Sequence, residues 1–270
     1  MKQFLISKPD ILNGAPYEGR VTRDEKQGNF LTIPFLETQS GIRHIFTTRM
    51  NGLGSRNNGI KLPEDWNAVA GFLDIDPVRV VTINQVHGET IVIVDGKNFR
   101  TMRSVQADAM ITITPGIAIG VETADCVPIL LYAPEVRAVG AVHAGWRSTV
   151  QKIVQKAVIK MRDEVGADPA EMVAAIGPAI GPECYEVDEP VMGRVREAFS
   201  FWKDVTAHRG NDRWSLNLAK ANKMELIQAG LQEKNINSLD MCTCCRQDLF
   251  YSYRAEGRTG RMLSAIMIKP

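Results

Sequence analysis

The chain has 270 residues, 44% of them hydrophobic, and its 32 lysines and arginines nearly balance 31 aspartates and glutamates. A chain of this length can bury a large core, and we expect one domain spanning residues 1–270. Because the formal net charge is only +1, composition indicates no basic surface for nucleic acid or anionic lipids, which favours a small-molecule partner.

The N-terminal segment and the cysteine count predict where the protein works. The apolar stretch in MKQFLISKPD is too short for a signal peptide. The mainly apolar segments CVPILLYAP and AVGAVHAGW are shorter than the roughly 20 residues of a membrane helix. Five cysteines, an odd number, favour free thiols or metal ligands over a disulfide framework. We expect a cytoplasmic monomer or homodimer that binds no membrane and no nucleic acid.

Short apolar runs rich in β-branched residues recur through the first half of the chain, each bounded by Gly, Pro, Asp or Asn. This pattern predicts strands. In chain order the runs are IRHIFTT, VRVVTINQV, TIVIV, DAMITIT, IAIGV, CVPILLY and RAVGAVH.

The apolar spacing changes to a helical period in the second half. One apolar face predicts a helix over residues 150–165 that ends at Gly166. A second helix fits residues 189–202, with Asp188 as its N-terminal cap, and a third runs near 216–230.

The C-terminal segment FYSYRAEGRTGRMLSAIMI predicts two strands joined by a charged turn. Strands therefore dominate the first half, and helices interrupt strands in the second. This order predicts an α/β (α+β) sandwich in which mixed β-sheets are flanked by helices.

The four histidines fall into two groups. His44 lies inside a strand pattern and is predicted to be structural and hydrogen-bonded, whereas His208 lies in a polar stretch that predicts an exposed loop. His87 in NQVHGE and His143 in AVHAGW each end an apolar strand before a glycine-containing turn. Functional sites of α/β folds gather at such strand ends.

Cys126 has the same placement in VETADCVPILL. Two imidazoles and one thiolate would suit Zn²⁺ with one coordination position open. A buried cysteine alone is more often a small hydrophobic residue, and no pair here has the local spacing of a zinc motif. A metal site and ordinary packing therefore both remain open. Asp125 and Asp108 are candidate acids or orienting groups, or simple turn caps.

Two arginines are candidates for binding phosphate. Arg49 precedes the glycine-rich loop in FTTRMNGLGSRNNG, and Arg147 lies at the start of a predicted helix. Trp146 either packs in the core or stacks on a purine. The sequence has neither a P-loop nor a G-x-G-x-x-G motif, so it gives no support for a nucleoside triphosphate or dinucleotide site.

The remaining cysteines do not make a zinc ribbon. The CTCC segment has one C-x-x-C spacing, but a ribbon needs a second pair. We predict that Cys242, Cys244 and Cys245 are packed or oxidisable thiols and that Cys184 packs.

Several segments, in this order, resemble one family. They are NQVHG, DAMIT, TADCVPILL, AVHAGWRST, AAIGPAIGPECYEV and CTCCRQDLFYSYRAEGRTGRM. The family was first named polyphenol oxidoreductases or laccase-domain proteins, and its members are described as purine nucleoside phosphorylases that also deaminate adenosine. The resemblance runs from about Ile42 to the C-terminus and implies an α/β sandwich related to a cysteine-hydrolase toxin fold.

The resemblance also implies a site and a reaction. The metal ligands would be His87, Cys126 and His143, holding Zn²⁺, with Cu²⁺ bound adventitiously. Asp125 would join them as a catalytic residue, and Arg49 and Arg147 would bind phosphate. The expected substrates are purine nucleosides (adenosine, inosine, methylthioadenosine) and phosphate, giving the free base and ribose 1-phosphate, with adenosine deamination as a second activity.

Three alternatives stay open. Cys126 could be the nucleophile and His143 the base of a cysteine hydrolase or amidase that edits cell-wall precursors. The chain could instead bind a metal or nucleoside without catalysis. Copper-dependent oxidation of phenols is at most a side activity, because four histidines are too few for a laccase copper cluster plus a separate copper site.

Overall fold

The computed structural model describes residues 2–4, 20–24, 28–51 and 66–270. Its strands are β1 Lys2–Phe4, β2 Arg20–Asp24, β3 Gly28–Thr32, β4 Ile42–Thr47, β5 Val80–Val81, β6 Ile91–Ile93, β7 Ala109–Thr112, β8 Ala118–Thr123, β9 Val127–Ala133, β10 Ala138–Ala144, β11 Val173–Ile176, β12 Glu186–Asp188, β13 Thr206–Gly210, β14 Arg213–Leu216, β15 Ile236–Ser238 and β16 Met262–Ile268. Its α-helices are α1 Pro34–Glu37, α2 Asn67–Leu73, α3 Trp146–Val150, α4 Ile153–Val165, α5 Glu189–Ala198, α6 Trp202–Val205, α7 Leu218–Gln228 and α8 Tyr253–Glu256. Short 3₁₀-helices cover Arg49–Asn51, Pro77–Arg79, Phe99–Ser104 and Glu233–Asn235.

The strands form three sheets. The largest has the order β1-β2-β3-β4-β16-β8-β5, the second β15-β11-β9-β10-β7-β6, and the smallest β12-β14-β13. Most neighbours are antiparallel, but β5 with β8, β6 with β7, and β11 with β15 are parallel. The prediction of mixed sheets with helices is confirmed, while the relation to a toxin fold and the single domain over residues 1–270 stay predictions.

The two larger sheets face each other across an apolar core. Phe46 and Ile266 of one sheet pack in the same buried cluster as Leu130 and Val139 of the other. The outer face of the second sheet packs against α3 and α4, and α5 and α7 extend the same buried cluster. The outer face of the first sheet packs against α2. The layers are therefore helix, sheet, sheet, helix, as apolar faces on both sides of each sheet require.

The register of three antiparallel strands brings polar residues to one edge of the second sheet. Strand β10 lies between β9 and β7, with Ala144 opposite Val127 and Val142 opposite Ala109. The residues just outside these pairs, Cys126 before β9 and Asp108 before β7, therefore lie beside His143 near the end of β10. No helix in the described part of the chain is long and apolar enough to cross a membrane.

Several element predictions need correction. The predicted C-terminal hairpin is wrong at its first strand. Residues Tyr253–Glu256 form α8, because the Ser252 hydroxyl accepts the Ala255 N–H at 3.2 Å and caps a helical turn. The helix predicted over 150–165 is broken at Lys152, whose φ is 63°, although it ends at Gly166 as predicted.

Two further differences concern the middle of the chain. The helix predicted over 189–202 ends at Ala198, and residues Trp202–Val205 form a separate turn of helix. The loop prediction around His208 is wrong, because these residues form the exposed strand β13.

The structural role predicted for His44 is confirmed. Its Nε2 atom accepts the Ile33 N–H at 2.9 Å, and burial lowers the pKa of His44 to about 3. The ring is therefore neutral at physiological pH.

Gly177 offers a test of the packing between the two larger sheets. A Cβ atom at this position would lie 2.4 Å from the ring of the buried Phe46. We expect Gly177→Ala to lower the free energy of unfolding by about 1–3 kcal/mol through overpacking. Gly193→Ala is the control, because Gly193 lies in α5 and an added methyl group there would have no neighbouring atom within 4 Å. It should be neutral or stabilising by up to about 1 kcal/mol in urea denaturation. Equal stability of the two variants would contradict this packing.

Candidate metal centre

Three donor side chains meet at the edge of the second sheet. The ligand atoms of His87, Cys126 and His143 all lie within 4.8 Å of one another. The Cys126 Sγ atom is 3.7 Å from His87 Nε2, and the two imidazole rings have centroids 4.8 Å apart. The structure thus brings together the three residues proposed from sequence as ligands, while their role as ligands stays a prediction.

The donor set fits a tetrahedral zinc ion. Zinc bonds of about 2.0–2.1 Å to nitrogen and 2.3 Å to sulfur place the two donors about 3.5 Å apart, close to the 3.7 Å between His87 and Cys126. Gly145 makes this approach possible, because a Cβ atom there would lie 2.7 Å from His87 Cδ2 and 3.1 Å from Cys126 Sγ. Two imidazoles and one thiolate leave a fourth position for water or substrate.

Asp108 organises two of the three donors. Its fully buried carboxylate lies 2.7 Å from His143 Nδ1 and accepts the backbone N–H groups of His87 at 2.9 Å and Gly88 at 2.7 Å. With Nδ1–H donated to Asp108, Nε2 is the ring nitrogen of His143 that can bind a metal, which would displace the Nε2 proton. Burial raises the pKa of Asp108, but His143 and the backbone donors outweigh it and hold the pKa below its usual value.

His87 lies in a constrained loop rather than at the end of a strand. Its φ of 59° is in the left-handed region, which a non-glycine residue adopts at a cost. Gln85 anchors this loop to β8 by donating to the Glu122 carbonyl at 2.8 Å and accepting the Glu122 N–H at 2.7 Å. Together with Asp108, these bonds hold the exposed His87 ring over Cys126.

The thiol and the buried imidazole perturb one another. Burial raises the pKa of Cys126, but the imidazoles of His143 and His87 outweigh it and lower the pKa to about 6. Burial lowers the pKa of His143, whereas Asp108 and Cys126 raise it, to about 9 overall. The metal-free site therefore holds a thiolate and an imidazolium at neutral pH, and the thiolate is the form that binds metals.

Two hydrogen bonds from the C-terminal segment fix the carboxylate of Asp125. One carboxylate oxygen accepts the Thr243 hydroxyl at 2.6 Å and the other accepts the Arg254 N–H at 2.6 Å. Its backbone has a φ of 91°, a strained conformation next to Cys126. These contacts favour a positioning role, and the predicted catalytic role of Asp125 stays a prediction.

The two candidate phosphate ligands have different surroundings. Arg147 lines the cavity beside the donors, and its guanidinium carbon lies 4.5 Å from the centre of the Trp146 ring. Arg49 is instead engaged by Glu256 at 2.7 Å and by the Phe250 carbonyl at 3.2 Å, and it is not part of the described cavity wall. The predicted glycine-rich loop over residues 52–59 lies outside the described residues. The phosphate role stays a prediction for both arginines, and the geometry favours Arg147.

A cavity of about 800 Å³ opens over the three donors. Trp146, Tyr185 and Tyr253 contribute aromatic walls, and Arg254 lies beside them. Sequence reasoning missed both tyrosines, because long-range contacts bring their segments to the cavity. Arg254, next to Tyr253, donates its N–H to Asp125, and its guanidinium carbon lies 5.2 Å from the centre of the Tyr185 ring. Their presence in GPECYEV and FYSYRAEG, two segments of the family resemblance, is the only signal that pointed to them.

Asp108→Asn tests the orientation of the donors. Removing the negative charge weakens the bonds to His143 and to the His87 loop. We expect the affinity for Zn²⁺ at this site to fall about 10–100-fold in competition with a chromophoric chelator. Asp163→Asn, at an exposed carboxylate on α4, should leave the affinity unchanged. Cys126→Ser is the reference for the loss of one donor. An affinity for Zn²⁺ that is unchanged in Asp108→Asn would contradict the orienting role of Asp108.

Alkylation of metal-free protein tests the thiolate. Because the pKa of Cys126 is about 6, its rate of reaction with iodoacetamide should be nearly constant above pH 7 and fall as pH drops below 6. Peptide mapping by mass spectrometry separates Cys126 from the other cysteines. In protein unfolded by urea the same peptide should show the ordinary midpoint near pH 8.5. A midpoint near 8.5 in the folded protein would show that the imidazoles do not stabilise the thiolate.

Comparisons with known proteins identify the family. Residues 37–269 match the family described as multi-copper polyphenol oxidoreductase laccase. A protein named purine nucleoside phosphorylase from Deinococcus radiodurans is 36% identical over 251 residues, which cover 87% of this chain and 92% of that protein. A protein named adenosine deaminase RL5, from an unknown prokaryotic organism, is 32% identical over 206 residues, which cover 73% of this chain and 78% of its own.

A solved structure gives the same result for the fold. The crystal structure of the hypothetical protein YfiH from Bacillus licheniformis superposes with a TM-score of 0.82 at 29% identity, covering 89% of this chain and 96% of that one. The family predicted from the sequence motifs is thus confirmed. The chain belongs to the laccase-domain family of enzymes, whose members include proteins named purine nucleoside phosphorylase and adenosine deaminase.

Proposed function

We propose that the chain is a zinc-dependent purine nucleoside phosphorylase that also deaminates adenosine. The observation that carries the proposal is a His–Cys–His donor set that opens into a cavity of about 800 Å³ with aromatic and arginine walls. One relative named purine nucleoside phosphorylase and another named adenosine deaminase support it. When bound, zinc would supply Lewis-acid chemistry, which stabilises negative charge that develops on a reacting oxygen or nitrogen atom.

The cavity suits a nucleoside in size and in chemistry. Pockets for small molecules commonly have volumes of about 300–1,000 Å³ and apolar walls with a few polar groups. Tyr253 is 60% exposed at the cavity, although large aromatic side chains are usually more buried. We assign Tyr253 and Trp146 to stacking on the purine base, which every purine permits through its π-face.

Arg147 is assigned to phosphate. In phosphorolysis a phosphate oxygen forms the new bond to C1′ of the ribose while the bond from C1′ to the base breaks. A guanidinium beside the donors would orient the phosphate and neutralise part of its charge. The contact of Arg147 with Trp146 fixes this guanidinium next to the proposed base platform.

His87, Cys126 and His143 are assigned as the metal ligands, and Asp108 and Asp125 as positioning residues. Asp108 holds the proton on His143 Nδ1, which leaves Nε2 for the ion. Asp125 precedes Cys126 and accepts hydrogen bonds from Thr243 and Arg254. It therefore joins the backbone beside Cys126 to the C-terminal segment next to the cavity.

A cysteine hydrolase or amidase is the second candidate, and one observation favours it. Asp108, His143 and Cys126 are arranged like the orienting acid, the base and the nucleophile of a catalytic triad. The proposed relation to a cysteine-hydrolase toxin fold agrees with this arrangement. Against it, His87 has no part in such a triad, yet its Nε2 lies 3.7 Å from Cys126 Sγ. This third donor favours the metal.

Phenol oxidation by a multi-copper centre fits the chain poorly. The sequence has four histidines, of which His44 is buried in a structural hydrogen bond and His208 lies on β13. We therefore regard copper-dependent oxidation as at most a side activity of copper bound adventitiously at the His–Cys–His set.

Chromatography of reaction products tests the proposal. Zinc-loaded protein is incubated with inosine or adenosine, with and without phosphate. We expect hypoxanthine or adenine together with ribose 1-phosphate only when phosphate is present, and inosine from adenosine without phosphate. A chelator should abolish both reactions. Absence of all these products at high enzyme concentration would overturn the nucleoside proposal. An amidase activity of the metal-free protein that is lost when Cys126 is alkylated would support the second candidate.

Arg147→Ala separates the two reactions. Loss of the guanidinium should raise the KM for phosphate at least about tenfold, while phosphate-independent deamination keeps its rate within about twofold. Arg49→Ala is the comparison, because its guanidinium binds Glu256 and the Phe250 carbonyl. It should lower thermal stability and leave the KM for phosphate unchanged. If Arg49→Ala raises the KM for phosphate and Arg147→Ala does not, the phosphate role belongs to Arg49 instead of Arg147.

A further inference from the structure

A second group of sulfur donors lies outside the His–Cys–His set. The Sγ atoms of Cys184, Cys242 and Cys245 all lie within 4.8 Å of one another. The closest pair, Cys184 and Cys245, is 3.3 Å apart although the residues are 61 positions apart in the sequence. We call these three residues the thiol cluster.

Backbone pairing builds the thiol cluster. Ala179 forms a parallel bridge with Cys242, and Thr243 N–H donates to the Ala179 carbonyl at 3.1 Å. The Gly181 N–H donates to Cys242 Sγ at 3.1 Å, which fixes the position of this sulfur. A Cβ atom at Gly181 would lie 3.3 Å from the same sulfur, so the glycine permits the close approach.

The geometry of the thiol cluster suits a cation better than a disulfide. Tetrahedral bonds of about 2.3 Å place the sulfur ligands of zinc about 3.8 Å apart, within the range found here. A disulfide between Cys184 and Cys245 would need a separation of about 2.05 Å and would leave Cys242 without a role. Cys245 is exposed and the other two thiols are partly exposed, so an ion has a path from solvent.

We propose that Cys184, Cys242 and Cys245 form a second metal site, for a thiophilic d¹⁰ cation such as Zn²⁺ or Cu⁺. Three thiolates are soft ligands, which select these ions over hard cations. The site is distinct from the His–Cys–His set and does not depend on nucleoside chemistry.

The thiol cluster is connected to the cavity wall. Thr243, next to Cys242, donates its hydroxyl to Asp125, and Arg254 donates to the Cys184 carbonyl at 3.1 Å. Tyr185, adjacent to Cys184, lines the cavity. A cation at the thiol cluster would therefore cross-link two segments that shape the proposed substrate site.

Metal stoichiometry and cobalt spectra test the second site. Full-length protein is stripped of metal under reducing, anaerobic conditions, reloaded with Zn²⁺ or Co²⁺ and desalted. We expect two Zn²⁺ per chain in the wild type and one in both Cys126→Ser and the double variant Cys184→Ser/Cys245→Ser. With four thiolates in the two sites, the sulfur-to-cobalt absorption should fall to about one quarter in the double variant and by about one quarter in Cys126→Ser.

The control is Cys244→Ser, which lies in the same CTCC segment but outside the thiol cluster. It should retain both Zn²⁺ ions, and the zinc retained by the double variant shows that the chain is folded. Titration with Cu⁺ in the same variants distinguishes the two cations. The proposal is overturned if the double variant binds as much metal as the wild type, or if anaerobically reloaded protein holds a Cys184–Cys245 disulfide and no second ion. If the wild type holds one Zn²⁺, which Cys126→Ser retains and the double variant loses, the result counts against the proposed function and supports the thiol cluster as a metal site.

Discussion

The buried carboxylate of Asp108 binds the ring of His143 and the backbone of the loop that carries His87, and the candidate centre depends on this double contact. Two donors that are distant in sequence are thereby held by one negative charge. A carboxylate that is removed from water needs such partners, since an unpaired buried charge would be very costly. The arrangement explains how His87 keeps a left-handed backbone conformation while remaining exposed to the cavity.

The antiparallel register of β7, β10 and β9 sets the position of this carboxylate. Asp108 and Cys126 precede their strands at the edge where β10 approaches its end at Ala144. The C-terminal segment closes the site from the other side, because Thr243 and Arg254 both bind Asp125 beside Cys126. Residues from widely separated parts of the chain thus meet only when both sheets have formed.

Sequence patterns predicted features of the fold and the site that depend on local information. Apolar runs indicated β4 to β10 and β16, which are half of the strands in the described residues. The placement of His87, Cys126 and His143 near predicted strand ends indicated a shared site. The family resemblance then gave those residues a role. The predicted C-terminal hairpin failed because the Ser252 cap, a local hydrogen bond, outweighed the β-propensity of the tyrosines around it.

Features that depend on long-range pairing were missed. Cys184 and Cys245 are unrelated thiols in the sequence, and long-range pairing, including the bridge between Ala179 and Cys242, brings their segments together. Arg49 looked as suitable for phosphate as Arg147, because its partner Glu256 lies 207 positions further along the chain. The sequence left Asp108 as either an orienting group or a turn cap, and only its hydrogen bonds distinguish the two roles.

We propose that His87, Cys126 and His143 form one metal centre oriented by Asp108. Anomalous diffraction at the zinc edge, from crystals of the protein equilibrated with Zn²⁺, tests it most directly. We expect an anomalous peak within bonding distance of Nε2 of both histidines and of Sγ of Cys126, with His143 Nδ1 still hydrogen-bonded to Asp108. Zinc elsewhere in the crystal with none between these three atoms, or a zinc ion bonded to His143 through Nδ1, would contradict it.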